Sequence, residues 1–251
     1  HNDVAGIGRD DGMFLNQKQS RSINTDAIVT IGNGAGQSIA ANNASNGNSF
    51  SADGSFLMWG NNNASLSNTS SVTLLCETEL QMDRVWKVVE TGSVGTVEIA
   101  AIASNINAVL TSASSEVRLL KIADDANFTT NVKHIPLTTR TINGVSHYVA
   151  NFDFNGTKYF TYTEVLGIFW NGDTAIWTGG AFAGGPATDN ISSAIDGSKV
   201  LVIDSETSMK NAIMIGSANV ECVWVKPNSK LIINNGRFLE FDQDFKLEGE
   251  I

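Results

Sequence analysis

"CVWVKPNSKLIINNGRFLEFDQDFKLEGEI", residues 222–251, alternates short apolar words with turn formers, and its spacing decides how the chain is read. Ile215, Val223, Leu231, Leu239 and Leu247 fall at a constant interval of eight residues. Two positions beyond three of them stand Val225, Ile233 and Phe241, so each unit carries an apolar pair on one side of a strand. Between the pairs lie Lys226-Pro227-Asn228-Ser229, Asn234-Asn235-Gly236 and Asp242-Gln243-Asp244, all residues with turn chemistry. A strand of about four residues and a turn of about four then stack as a β-solenoid-like or meander repeat, each unit burying its pair against its neighbours. The last unit stops at Ile251 with its strand uncovered, as expected of a piece of a longer protein whose further repeats or domains are partners of this one.

Upstream, the texture changes near residue 166. "LGIFWNGDTAIWTGGAFAGGPATDN" (166–190) is rich in Gly and Trp and separates the repeat from a region of different periodicity. The expected organisation is a β-sandwich-like domain over 1–166, followed by a Trp/Gly-rich junction and the repeat over 167–251. In the first part, alternating apolar runs predict strands at Val4 to Gly8, Ala27 to Gly32, Phe56 to Gly60, Val85 to Glu90, Thr96 to Ala101, Val117 to Ile122, His147 to Phe154 and Tyr159 to Glu164. Such spacing is that of an antiparallel sandwich or barrel, and the fold class expected is all-β. Asn105 to Ser115 reads as a loop or a short helix. The Asn/Gly/Ser-rich stretches Gly32 to Ser55 and Asn61 to Ser71 read as long surface loops.

Composition agrees. Of 251 residues, 42% are hydrophobic and only 17% charged, with 23 Gly; strands and turns are favoured by that mixture. A net charge of −10 with 16 scattered Lys and Arg speaks against nucleic acid, whose phosphates need clustered cations. No run of 18 or more apolar residues occurs, so no membrane span is expected. Cys76 and Cys222 are compatible with one disulfide, but their flanks, "VTLLCETEL" and "NVECVWVKP", read as strand interiors, where a free thiol packs as a small hydrophobe. Two unpaired thiols are the expectation.

"NDVAGIGRDDGMFLNQKQSRSINTDAIVTIG", "FLMWGNNNASL" and "RVWKVVETGSVGTVEIA" together resemble an uncharacterised β-domain of very long secreted surface proteins of Bacteroidetes-type bacteria. "FWNGDTAIWTGG", "SSAIDGSKVLVI" and "LIINNGRFLEF" resemble the β-solenoid-like units that follow it. The resemblance implies export, an extracellular or cell-surface location and an adhesin-like role. It also makes Thr174, in Asp173-Thr174-Ala175, a candidate O-glycosylation site.

Several residue groups invite chemistry. "GIGRDD" (6–11) places Asp10 and Asp11 in a Gly-bounded turn, a source of oxygen ligands for calcium, the one cofactor expected if any is. The same residues suit a turn in which Arg9 pairs with a carboxylate. Glu240, Asp242 and Asp244 alternate as the carboxylates of a glycosidase strand do, and binary patterning explains them equally. His1 with His134 or His147 suggests a copper site. No G-x-S-x-G elbow or phosphate loop is present. Trp170 and Trp177, in the junction, are candidates for ligand binding by stacking on a glycan, or for covering the first coil of the repeat. The function expected is therefore a non-catalytic structural or adhesive module that meets a cell-surface protein or glycan. The alternatives are a carbohydrate-binding module and a glycan-active enzyme domain.

Overall fold

Alternation of apolar and polar residues becomes strand at each of the eight places where the first part of the sequence shows it. A computed structural model of the chain describes residues 1–68, 70–111, 117–165, 167–170, 175–176, 190–191, 200–204, 211–214, 218–233, 235–236, 238–249 and 251. In chain order its elements begin with β1 (Asn2–Asp10), β2 (Leu15–Gln17), β3 (Gln19–Ser20), β4 (Val29–Asn33), β5 (Ser55–Asn61), β6 (Ser70–Leu74), β7 (Glu77–Gln81), β8 (Trp86–Thr91) and β9 (Thr96–Ile102). The short helix α1 (Ala103–Val109) follows, then β10 (Val117–Ala123), β11 (Lys133–Pro136), β12 (Thr138–Ile142), β13 (Val145–Asp153) and β14 (Thr157–Val165). The remainder is β15 (Gly167–Trp170), β16 (Ala175–Ile176), β17 (Asn190–Ile191), β18 (Val200–Ile203), β19 (Asn211–Met214), β20 (Ala218–Val220), β21 (Cys222–Val225), β22 (Lys230–Ile233), β23 (Leu239–Phe241) and β24 (Phe245–Leu247). The protein is all-β, and strands β1 to β5 and β8 to β14 pair in antiparallel sheets.

Two units divide the chain: His1–Ser70, Gln81–Thr111 and Leu119–Thr163 form the first, and Ser71–Leu80, Ser112–Arg118 and Glu164–Ile251 the second. The first unit is sandwich-like. One of its sheets runs β11-β10-β14-β8-β5-β1-β2 and the other β12-β13-β9-β4-β3. Antiparallel registers such as Ala5↔Trp59, Trp59↔Val88 and Ile31↔Ile99 set which side chains share a face. Ile7, Leu57, Trp59, Val88, Val97 and Ile99 are all buried, and Trp86 stacks on Phe160 at 5.3 Å between ring centres while meeting Tyr162 edge-on. At about 25 cal/mol per Å2, rings of this size are the largest single contributors to such a core.

The Asn-rich stretch after β4 is a loop, as its composition implies, but it is fastened to the sheet. β9 is buried from Val97 to Ala101, on both of its faces, because Ile39 packs with Ala100, Ile142 and Val149. Glu98 is the latch: its carboxylate accepts the Ile39 N–H at 2.8 Å and two bonds from Arg140 at 2.8 and 3.0 Å. Amide side chains do the rest. Gln19 exchanges two bonds with the backbone of Ala40, and Asn43 Oδ1 accepts the Lys18 N–H. Asn and Gln thus stand in for the ladder bonds that an irregular segment lacks, as buried backbone requires.

The second unit is built differently. β15, β18, β21 and β24 pair in parallel, as do β17, β19 and β22, and β20 with β23. Val200 faces Cys222 and Val223 faces Phe245, 22 residues apart in each case. The eight-residue interval is present, yet successive strands β21, β22 and β23 enter three different sheets. The expectation that each unit packs on the next is corrected accordingly. The turn Lys226–Ser229, closed by Ser229 N–H donating to Lys226 O and with Asn228 at φ +60°, directs the chain onto another sheet and not back as a hairpin. Gly249 passes so close to that turn that a Cβ would lie 2.2 Å from Ser229 O and 2.5 Å from Lys226 O.

Cys76 and Cys222 form a disulfide, with their Cα atoms 6.3 Å apart, and this overturns the expectation of two free thiols. The reason is local. "VTLLCETEL" is two strands, β6 and β7, broken at Leu75, which takes φ +58°. Cys76 therefore sits in a hairpin turn and not inside a strand, and it reaches the buried Cys222 at the start of β21.

Candidate functional site

Asp10 and Asp11 lie where β1 ends, and both are engaged. Arg9 grips Asp11 with two bonds, Nε to Oδ1 at 2.7 Å and Nη2 to Oδ2 at 2.8 Å. The side-chain bond from Arg9 holds the Asp11 carboxyl below the ordinary aspartate range and raises Arg9 in turn. Asp10 Oδ1 accepts the Met13 N–H at 3.0 Å, and Asp53 Oδ1 accepts the Asp11 N–H at 2.7 Å. The aspartates thus organise the turn between β1 and β2. Among the described residues, no three His, Cys, Asp or Glu side chains are grouped as a metal would need.

The other sequence-derived positions separate. Trp170 ends β15, where the backbone alone is described; Trp177 and Thr174 lie outside the described residues. Trp59 and Trp86 are core. β23 stops at Phe241, so of the three carboxylates only Glu240 stands on a strand and the alternating face is not formed. His147 Nδ1 is 2.9 Å from Val145 O, which ties that ring to its own strand. No helix among the described residues is long and apolar enough to cross a membrane.

Trp224 is the described Trp that reaches the surface. Lys246 Nζ lies 4.3 Å and Lys226 Nζ 4.9 Å from its ring centre, and its indole N–H donates to Glu248 at 2.8 Å. That bond, reinforced by Lys246, keeps the Glu248 carboxyl below its usual range. Cation–π and ion-pair contacts of this kind stabilise modestly at a surface. Lys226 also pairs with Asp204 at 3.1 Å, so the cluster links β18, β21 and β24 across their shared face.

Two exposed apolar features of the first unit were not visible in the sequence. The turn after β1 holds Met13 77% and Phe14 96% exposed, with Leu15 beside them. The outer face of the larger sheet carries Val4, Met58 and Val89, each more than a third exposed. Met58 and Val89 are register partners, and Met58 lies over Gly6. With Trp59, Gly60 and Lys87 they line a shallow groove of about 130 Å3. Alternation assigns Val4 and Met58 to a face; it does not say that the face is open.

No curated protein and no solved structure matches this chain. Residues 1–157 match one family, described as a domain of unknown function (DUF8202), and span the greater part of the sandwich-like unit. The chain belongs to the DUF8202 family of domains of unknown function.

Proposed function

We propose that this chain is a non-catalytic structural and adhesive module of a large exported cell-surface protein. The observation that carries the reading is the parallel ladder of the second unit. From β17 onward its partners lie 19 to 23 residues apart, with 33 between β15 and β18, and Phe241 and Leu247 are exposed beside its edge strand β24, with Phe245 stacked on Phe241. We read this as a β-solenoid with three strands to a turn, whose eight-residue period is the distance from one corner to the next. An open parallel edge with apolar side chains is suited to take a further strand. The Cys76–Cys222 bond supports an oxidising compartment, and the net charge of −10 suits a solvated outer surface.

The test is protease shaving of intact source cells, followed by mass spectrometry of the released peptides. Peptides from both units in the shaved fraction are the expected result. Recovery of the chain only from the lysed soluble fraction would refute the reading.

A further inference from the structure

Phe14 is an energetic oddity. It takes φ +55°, a left-handed conformation that Gly or Asn adopts at less cost than a large aromatic residue, and its ring is 96% exposed. The turn that holds it is rigid. Arg9 grips Asp11, Asp10 accepts from Met13, Asp53 accepts from Asp11, and the Gly54 N–H donates to Arg9 O. A firmly built turn that presents Met13 and Phe14 to water, at a backbone angle suited to a smaller residue, points to a use for the ring.

The complementary surface is on the same unit. The groove bounded by Val4, Met58 and Val89 has a volume of about 130 Å3, and an apolar cavity of about 150 Å3 accepts a benzene ring. Lys87 lines it, whereas the tip bears Asp10, Asp11 and Asp53 around one arginine, so charge favours their meeting. β1 carries Val4 near its start and leads into the tip at Asp10. Some 20 Å of strand, at about 3.3 Å per residue, separates the two. A tip held at that distance cannot fill the groove of its own copy.

We infer that the Met13–Phe14 tip of one copy inserts into the Val4/Met58/Val89 groove of a second copy, so that the first unit associates with itself. The interface is heterologous, one surface meeting a different one, which generates chains where rotation does not close it. It buries little area, so the association is weak and depends on concentration.

Sedimentation velocity of the His1–Ile251 chain over a wide concentration range, with two variants, tests this. Phe14→Asn removes the ring and suits the backbone angle, so its melting temperature should equal or exceed that of the parent. Val89→Glu leaves the tip intact and places a like charge opposite the acidic turn. The parent should associate as concentration rises, and each variant alone should remain monomeric. An equimolar mixture of the two should form one-to-one dimers and nothing larger, because it offers one intact tip and one intact groove. A parent that stays monomeric throughout, or single variants that associate as the parent does, would overturn the proposal.

Discussion

Glu98 shows how a single residue decides the form of a long segment. It is almost fully buried in the middle of β9, where an unpaired carboxylate would be expelled or neutralised. Arg140 on β12, the Ile39 N–H and the Ser38 hydroxyl satisfy it instead, and the loop bearing Ser38 and Ile39 is thereby fixed over the sheet. Arg140→Ala leaves the charge without its counterion, and breaking a buried pair from one side costs about 3–5 kcal/mol. Chemical denaturation should show a loss of that size in the first unit, together with faster proteolysis between residues 34 and 54. A loss below about 1 kcal/mol, the scale of an exposed pair, would mean that Glu98 is solvated. Sequence alone gives Glu98 as a polar residue within an apolar strand. It does not identify Arg140, 42 residues away, as the partner, because strand order is not encoded in local alternation.

At the scale of elements, alternation with period two was legible, and pairing was not. Strands at Val4 to Gly8, Phe56 to Gly60, Thr96 to Ala101 and Tyr159 to Glu164 follow from side chains that must face opposite ways along a pleated backbone. The helix α1 overlaps the start of Asn105 to Ser115, the stretch that reads as a loop or short helix, but begins two residues earlier, at Ala103. The eight-residue interval of Val223, Leu231 and Leu239 was equally plain, but it separates successive strands that enter different sheets. Hydrogen bonding joins strands 22 residues apart, and no local pattern distinguishes a turn that folds a strand back from one that sends it to another sheet. Gly249 carries that distinction. Its backbone lies against Lys226 and Ser229, so Gly249→Ala forces the last turn away from the one before it. Overpacking of this sort costs about 1–3 kcal/mol. Amide hydrogen exchange should then accelerate in β24 while β21 and the whole first unit keep their protection. Unchanged exchange in β24 would show that the close approach is relieved without cost.

For the whole molecule, the two units draw on different sources of stability. The first has a broad antiparallel core with a stacked Trp86–Phe160 pair. The second stacks short parallel strands and adds a covalent tie, which joins the hairpin at Cys76 to the buried start of β21. Closing a loop of 146 residues restricts the unfolded chain by an entropy worth about 5 kcal/mol in the simple loop-closure account. The tie was not legible because "VTLLCETEL" reads as one strand until Leu75 is seen to break it. An exported module should carry this bond in its native setting. The most direct test is alkylation of the protein taken from its source without reductant, followed by peptide mass spectrometry. A single linked peptide pair containing Cys76 and Cys222, with neither residue alkylated, is the predicted result; both cysteines recovered alkylated would contradict a disulfide-locked module at the cell surface.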